Sequence, residues 1–279
     1  MKQERVFDES GIPKIRVVAD YPTSKALKLH PDLRNHLKST DPPRIKNEDR
    51  ETLFLYNKYI AKDLYDIDIK FAEHAIIPTP IMRFNFLMHV IKPNSSIIEI
   101  GTGASAIIAI LAAKHFNAQV YATEVDKEYI TLANQNIFHN KLESKITVFD
   151  SHGSFFHDVV PKGLKVDFII SNPPYYDKIL SPKVIWGGKN HELVSDGEMG
   201  ELFIIRLIKE GWDYLKSPGT ISFIIPKTRQ NTLISVEDFL NLHNYDYDII
   251  GLLAGNRTRF IFRIFKNNLL DINRLSDMD

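Results

Sequence analysis

The stretch best equipped for chemistry in this 279-residue chain is Ser171-Asn172-Pro173-Pro174-Tyr175. It follows the apolar run Val166 to Ile170, which reads as a buried strand, and strand exits are where open α/β sheets gather their ligands. Consecutive prolines neither donate to a sheet ladder nor continue a helix, so Pro173 and Pro174 hold a rigid, extended loop. The Asn172 amide and the Pro173 carbonyl offer acceptors, and the Tyr175 ring offers a stacking face. That set suits a planar amine attached to an aromatic or amide π-system.

A second group of residues has the pattern of a nucleotide site. Ser96 to Ile100 reads as a short strand, followed at once by Gly101-Thr102-Gly103 and a helix from Ala104 to Phe116. Glycines at a strand-to-helix turn let a ligand approach the backbone. Gly101, Gly103 and Ala106 also satisfy G-x-G-x-x-A, which brings a dinucleotide into consideration. A second strand, Gln119 to Thr123, ends in Glu124-Val125-Asp126, about 20 residues beyond the glycines, where an acid accepts from ribose hydroxyls. A third, Lys145 to Phe149, ends at Asp150, which either contacts an adenine ring or caps its turn; Ser154 is a rival for that contact. Glu99 precedes Gly101 by two positions, the E-x-G-x-G order of methyltransferases, and Asn-Pro-Pro-Tyr follows the fourth strand. A nicotinamide enzyme needs neither, so the ordered set points to a class I fold using S-adenosylmethionine. Arg83, just after Pro78-Thr79-Pro80 opens a helix, is either a surface charge or, from its position before the glycine motif, a clamp for a carboxylate.

With these residues in hand, the chain resembles the adenine-N6 RNA methyltransferases that group bacterial large-subunit rRNA methyltransferase F with eukaryotic methyltransferase-like protein 16. Ile77 to Pro80 with Arg83 and Asn85, Glu99 to Ser105, Ala122 to Asp126, and Asn172 to Tyr175 carry the likeness, with Glu198 to Leu202 and Gly255 to Arg259 further on. The resemblance implies cofactor contacts at Arg83, Gly101, Ser105, Glu124 and Asn172; Glu99, Thr102 and Gly103 complete the expected cofactor set. It departs at Tyr175-Tyr176, where relatives often carry Phe-Phe or Phe-His. The implied reaction is N6 methylation of an adenine in RNA, with Asn172 and Pro173 gripping the amine and Tyr175 stacking on the base. The same four residues equally serve a glutamine side-chain amide, as in release-factor methyltransferases. DNA adenine methylation is disfavoured because no target-recognition domain is evident, and a non-catalytic RNA-binding subunit of the same fold is the remaining alternative.

The elements that must position these groups form an α/β, Rossmann-like sheet of seven mostly parallel strands, with one strand of a final hairpin (Tyr247 to Leu252, Phe260 to Phe265) antiparallel. Residues 1–50, punctuated by prolines and mixed charges, read as a loosely structured arm with one or two strands or helical turns, either a solvated mixed-charge segment or an RNA contact, and residues 51–279 as the methyltransferase domain. A loop from Asp177 to Gly200, with Lys178, Lys183, Trp186 and Lys189, is expected beside the site. Lysine plus arginine balances aspartate plus glutamate at 35 each, so RNA must meet a local patch, for which Lys227, Arg229, Arg257 and Arg259 are the candidates. The absence of cysteine excludes disulfides and thiolate chemistry, and His115, His139 and His152 lack ligand spacing, so no metal is assigned. With 44% hydrophobic residues and no apolar leader segment, a soluble, cytoplasmic protein is expected.

Overall fold

The computed structural model describes residues 7, 9–17, 21–176, 188–255 and 257–266. The N-terminal part carries β1 (Lys14–Arg16), α1 (Thr23–Leu29), the hairpin β2 (Leu37–Thr40) and β3 (Pro43–Ile45), then α2 (Arg50–Tyr65) and α3 (Pro80–Val90). Strand and helix then alternate: β4 (Ser96–Ile100), α4 (Ile107–Phe116), β5 (Gln119–Glu124), α5 (Lys127–His139), β6 (Ile146–Asp150) and β7 (Val166–Ser171). A short α6 (Asn190–Leu193) and α7 (Leu202–Gly211) lead to β8 (Leu215–Pro226), α8 (Gln230–Leu242), β9 (Asp246–Ala254) and β10 (Arg257–Lys266).

Local chemistry sets several of these boundaries. Asp49 caps α2 by accepting from Thr52 N at 2.9 Å, and Asp126 caps α5 by accepting from Glu128 N and Tyr129 N. Pro80 opens α3, where its missing N–H would be unpaired in any case.

The main sheet has the order β1-β9-β10-β8-β7-β4-β5-β6, and β10 runs antiparallel to both its neighbours. Side chains alternate across it. Ile97, Ile170, Ile224 and Ile261 pack with α2, α3, α4 and α5 on one face. Ile98, Ile169, Phe223, Phe260 and Phe262 pack with α7 and α8 on the other. From β4 the chain progresses outward through β5 to β6, and from β7 outward through β8, so the carboxyl ends of β4 and β7 mark the topological switch point. Asn172 follows β7 and Gly101 follows β4, so both reactive stretches emerge side by side.

The sheet has eight strands rather than seven, because β1 of the N-terminal arm pairs in parallel with β9. Its three residues, Lys14-Ile15-Arg16, show a single apolar side chain and no alternating pattern to read. The arm is also more closely packed than its composition implies: Phe7 stands on Phe260 in one core layer, and Tyr21, Ala26 and Leu33 are buried in the other. Helix α4 starts at Ile107, not Ala104, since Gly103 and Ala106 both have positive φ (68° and 48°) and the intervening residues form a turn. In the loop expected after Tyr176, Lys178, Lys183, Trp186 and Gly187 lie outside the described residues.

Candidate active site

A cavity of about 450 Å³ opens at the switch point, in the size range of small-molecule sites. Arg83, Glu99, Gly101, Thr102, Gly103, Ser105, Glu124, Ser154, Asn172 and Pro174 line it. Ten of the residues read from the sequence as site residues thus converge on one space, from five separate segments.

The glycine turn is fixed from below. Gly101 N and Thr102 N both donate to Thr123 O at 3.0 Å, which seats the turn on β5. Gly101 has φ of 73°, and a Cβ built there would have nothing within 4 Å, so the cavity reaches the bare backbone. The buried Glu124 carboxylate accepts from three backbone N–H groups: Gly103 N at 2.9 Å through Oε2, and Val125 N (2.8 Å) and Asp126 N (3.1 Å) through Oε1. With two acceptor positions per oxygen, Oε2 keeps one for a ligand hydroxyl. Behind the turn, the buried Asn136 of α5 donates to Ala104 O and Ser105 O.

Glu99 and Arg83 supply the charge. Glu99 is almost fully buried; Thr102 Oγ1 donates to its Oε2 at 2.8 Å, while Oε1 has no hydrogen-bond partner. Burial pushes its carboxyl up to about 7. Arg83 is lowered from 12.5 to about 10, first by burial and then by the nearby positive Arg259, against the pull of Tyr175 and Glu99. Burial likewise lowers Arg259. The Arg83 guanidinium, which lines the cavity, is a place for an anion such as a ligand carboxylate.

Asn172 is held by both of its neighbourhoods. Ser171 Oγ donates to Ile100 O at 2.9 Å, tying the end of β7 to β4. Beyond it, Pro173 is buried, and Tyr175 N and Tyr176 N share Leu193 O as acceptor, at 3.3 and 3.0 Å. The two tyrosine rings lie 4.9 Å apart, half-buried beside the cavity rather than in its wall.

The loop Asp177 to Gly200 was expected beside the site, but the contacts that its described part makes there were not. The segment around α6 clips over the cavity: Glu192 accepts from Tyr129 OH at 2.8 Å, Lys189 N and Ile76 N, while Lys189 Nζ pairs with Asp126 (2.6 Å) and Glu128 (2.8 Å). This brings His191 into the lining, with its Nε2 lacking a hydrogen-bond partner and standing 3.7 Å from Glu124 Oε1. At the opposite end Phe155 and Phe203 make a wall with ring centroids 4.5 Å apart, and Arg206 lies over Phe155 while donating to Gly153 O at 3.1 Å. The pairing of Glu192 with Tyr129 spans 63 residues, which no local pattern encodes.

Other expected residues stand elsewhere. Asp150 does not line the cavity; it accepts from His152 N at 3.0 Å and caps its own turn, leaving Ser154 at the wall. Lys227 is exposed and pairs with Glu9. Arg229 turns inward, donating through Nε to Tyr175 O at 3.1 Å with its guanidinium 4.8 Å from the Tyr176 ring centroid. Arg257 is exposed at the start of β10. Among the described residues no group of three or more His, Cys, Asp or Glu side chains is placed to hold a metal ion, and no helix is long and apolar enough to cross a membrane.

The residues present fit S-adenosylmethionine: a cradle without side chains at Gly101, an unpartnered buried oxygen on Glu99, an acceptor on Glu124 and the Arg83 guanidinium for a carboxylate.

Comparison with known proteins bears on the family and the fold. A provisionally named methyltransferase of Methanocaldococcus jannaschii is 38% identical over 86% of this chain and 97% of its own. The U6 small nuclear RNA (adenine-(43)-N(6))-methyltransferase of Drosophila melanogaster is 29% identical over 60% of this chain and 58% of its own. A release factor glutamine methyltransferase of Fusobacterium nucleatum is 29% identical over 80% and 67%. Among solved structures, the catalytic domain of hMettl16 in complex with a MAT2A 3′UTR hairpin superposes with a TM-score of 0.74 over 89% of this chain and 94% of that one, at 20% identity, and shares the fold. A family model described as RNA methyltransferase matches residues 10–193. The chain belongs to that RNA methyltransferase family, with S-adenosylmethionine as its methyl donor.

Proposed function

We propose that this enzyme methylates the exocyclic N6 amine of an adenine in RNA, either ribosomal or another structured RNA. The observation that carries the reading is that Asn172, at the end of a loop stiffened by two prolines, opens into the same cavity as the glycine turn and Glu124.

The chain's residues divide the work. Glu124 Oε2 has one acceptor position for a ribose hydroxyl; Arg83 takes the methionine carboxylate; Gly101, Thr102, Gly103 and Ser105 shape the cradle; Ser154 and the Phe155–Phe203 wall suit an adenine ring. S-adenosylmethionine supplies an electrophilic methyl on a sulfonium. Asn172 Oδ1 and the Pro173 carbonyl accept the two N–H bonds of the target amine, drawing the nitrogen from planarity so that its lone pair points outward. Asn172 is neutral at any working pH, so it orients and polarises and is not a general base. Orientation is then the main source of rate. Tyr175 stacks on the extruded base, a contact worth about 1–3 kcal/mol in nucleic-acid sites.

RNA is met by Arg257, exposed at the start of β10, and by the N-terminal residues 1–50, where Arg34 and Arg44 are exposed. We place the enzyme in the cytoplasm. A second reading, methylation of a glutamine amide in protein, is favoured by the Fusobacterium relative and uses the same acceptors. Asn172→Ala tests the core of the proposal: turnover is lost while affinity for S-adenosylhomocysteine is kept, and a variant that still turns over removes Asn172 from the chemistry.

A further inference from the structure

The direction of the Asn172 side chain depends on how its loop is held at both ends, because the rings of Pro173 and Pro174 lock two successive φ angles. At the near end the anchor is the Ser171 Oγ bond to Ile100 O, 2.9 Å. At the far end two segments meet at one atom, the carbonyl oxygen of Tyr175. Arg229 Nε donates to it at 3.1 Å, and the same guanidinium lies over the Tyr176 ring. Gly200 packs against it so closely that a Cβ there would stand 2.9 Å away. Thr232, one turn into α8 from Arg229, donates through Oγ1 to Met199 O at 2.5 Å and so holds the Gly200 turn in place.

We propose that Arg229 is a positioning residue for the Asn172–Tyr175 loop and not a phosphate contact: it fixes the Tyr175 carbonyl, and through the two prolines the aim of Asn172 toward the target amine. The inference rests on the reading of Asn172 as the ligand of that amine. A guanidinium donates in a fixed planar fork and stacks on a ring at the same time, a combination that lysine lacks. Gly200 provides the space in which the carbonyl can meet it.

Arg229→Lys, Arg229→Gln and Arg229→Met are compared with the parent enzyme, with Asn172→Ala in parallel, by steady-state kinetics on RNA, S-adenosylhomocysteine affinity by calorimetry, and RNA affinity against salt. A misaligned acceptor loop lowers kcat by about tenfold to a hundredfold in Arg229→Met, since an ångström of misplacement costs that order. Arg229→Gln, which keeps a planar donor, recovers part of kcat, and Arg229→Lys, whose ammonium can donate but has no planar face to stack on Tyr176 while doing so, does not exceed it. KM for RNA, cofactor affinity and the salt slope stay at parental values. A phosphate contact gives the opposite pattern: kcat held, RNA affinity weakened, the salt slope reduced by about one, and full recovery in Arg229→Lys; that result overturns the proposal. Should Arg229→Met fail to fold, the Gln and Lys variants decide by the same two patterns. Turnover in Asn172→Ala would overturn the underlying reading of the loop, whereas parental kcat in all Arg229 variants beside a dead Asn172→Ala overturns this inference alone.

Discussion

Glu124→Gln isolates the role of a single carboxylate that both braces the glycine turn and faces the ligand. The native group accepts three backbone N–H bonds and retains one acceptor position on Oε2. A glutamine amide of the same shape must place its NH₂ at one oxygen position. At Oε1 it would oppose two N–H donors, so it settles at Oε2, opposing Gly103 N and removing the position offered to the ribose. Loss of one buried hydrogen bond to a charged acceptor costs about 1.5–3 kcal/mol. At about 2–4 °C per kcal/mol for a domain near this size, the free variant melts roughly 3–12 °C below the parent. Binding loses a second interaction of the same kind, lowering affinity for S-adenosylhomocysteine by about tenfold to a hundredfold. Differential scanning calorimetry and isothermal titration of the purified variant read both quantities without any RNA. Unchanged melting together with unchanged affinity would refute the account of Glu124.

Three further perturbations follow from the same geometry. Gly101→Ala has room for its methyl but must hold φ near 73°, a left-handed strain of about 1–2 kcal/mol, and the methyl projects into the cradle; melting falls slightly and S-adenosylhomocysteine affinity falls strongly, in a titration. Glu99 has its folded pKa raised by burial from 4.5 to about 7, so the folded state binds the extra proton between those values and stability declines as pH rises through that window. Glu99→Gln removes this decline, and urea midpoints from pH 4 to 8 show a flatter profile than the parent's. Tyr129→Phe strips Glu192 of its hydroxyl donor and loosens the segment that covers the cavity; hydrogen exchange at residues 188–193 accelerates while the sheet amides keep their protection.

The reach of sequence reading followed the range of the interactions. The β4 turn, the acid at the end of β5 and the proline loop after β7 lie where strand periodicity and local φ constraints put them, because each is set by its own neighbours in the chain. Helix α5, from Lys127 to His139, is likewise set locally, since Asp126 caps it with donors two and three positions on. Strand β1 was not readable, because its place is decided by an edge of β9 more than 230 positions away and its own three residues alternate only once. Asp150 illustrates a polar residue satisfied locally, by His152 N, at a point where the sheet pattern alone invites a ligand. Arg229 shows the reverse: the sequence offers an arginine beside a loop, and only the fold reveals a backbone carbonyl within its reach.

The most direct measurement is the chemical identity of the product. Methyl-labelled S-adenosylmethionine is incubated with the enzyme and separate pools of RNA, DNA and protein, and each pool is digested to nucleosides or amino acids and resolved by mass spectrometry, with Asn172→Ala as the control. Label recovered as N6-methyladenosine from the RNA pool, and absent with Asn172→Ala, is the predicted result. Label recovered as N5-methylglutamine from protein, with none in RNA, would contradict it.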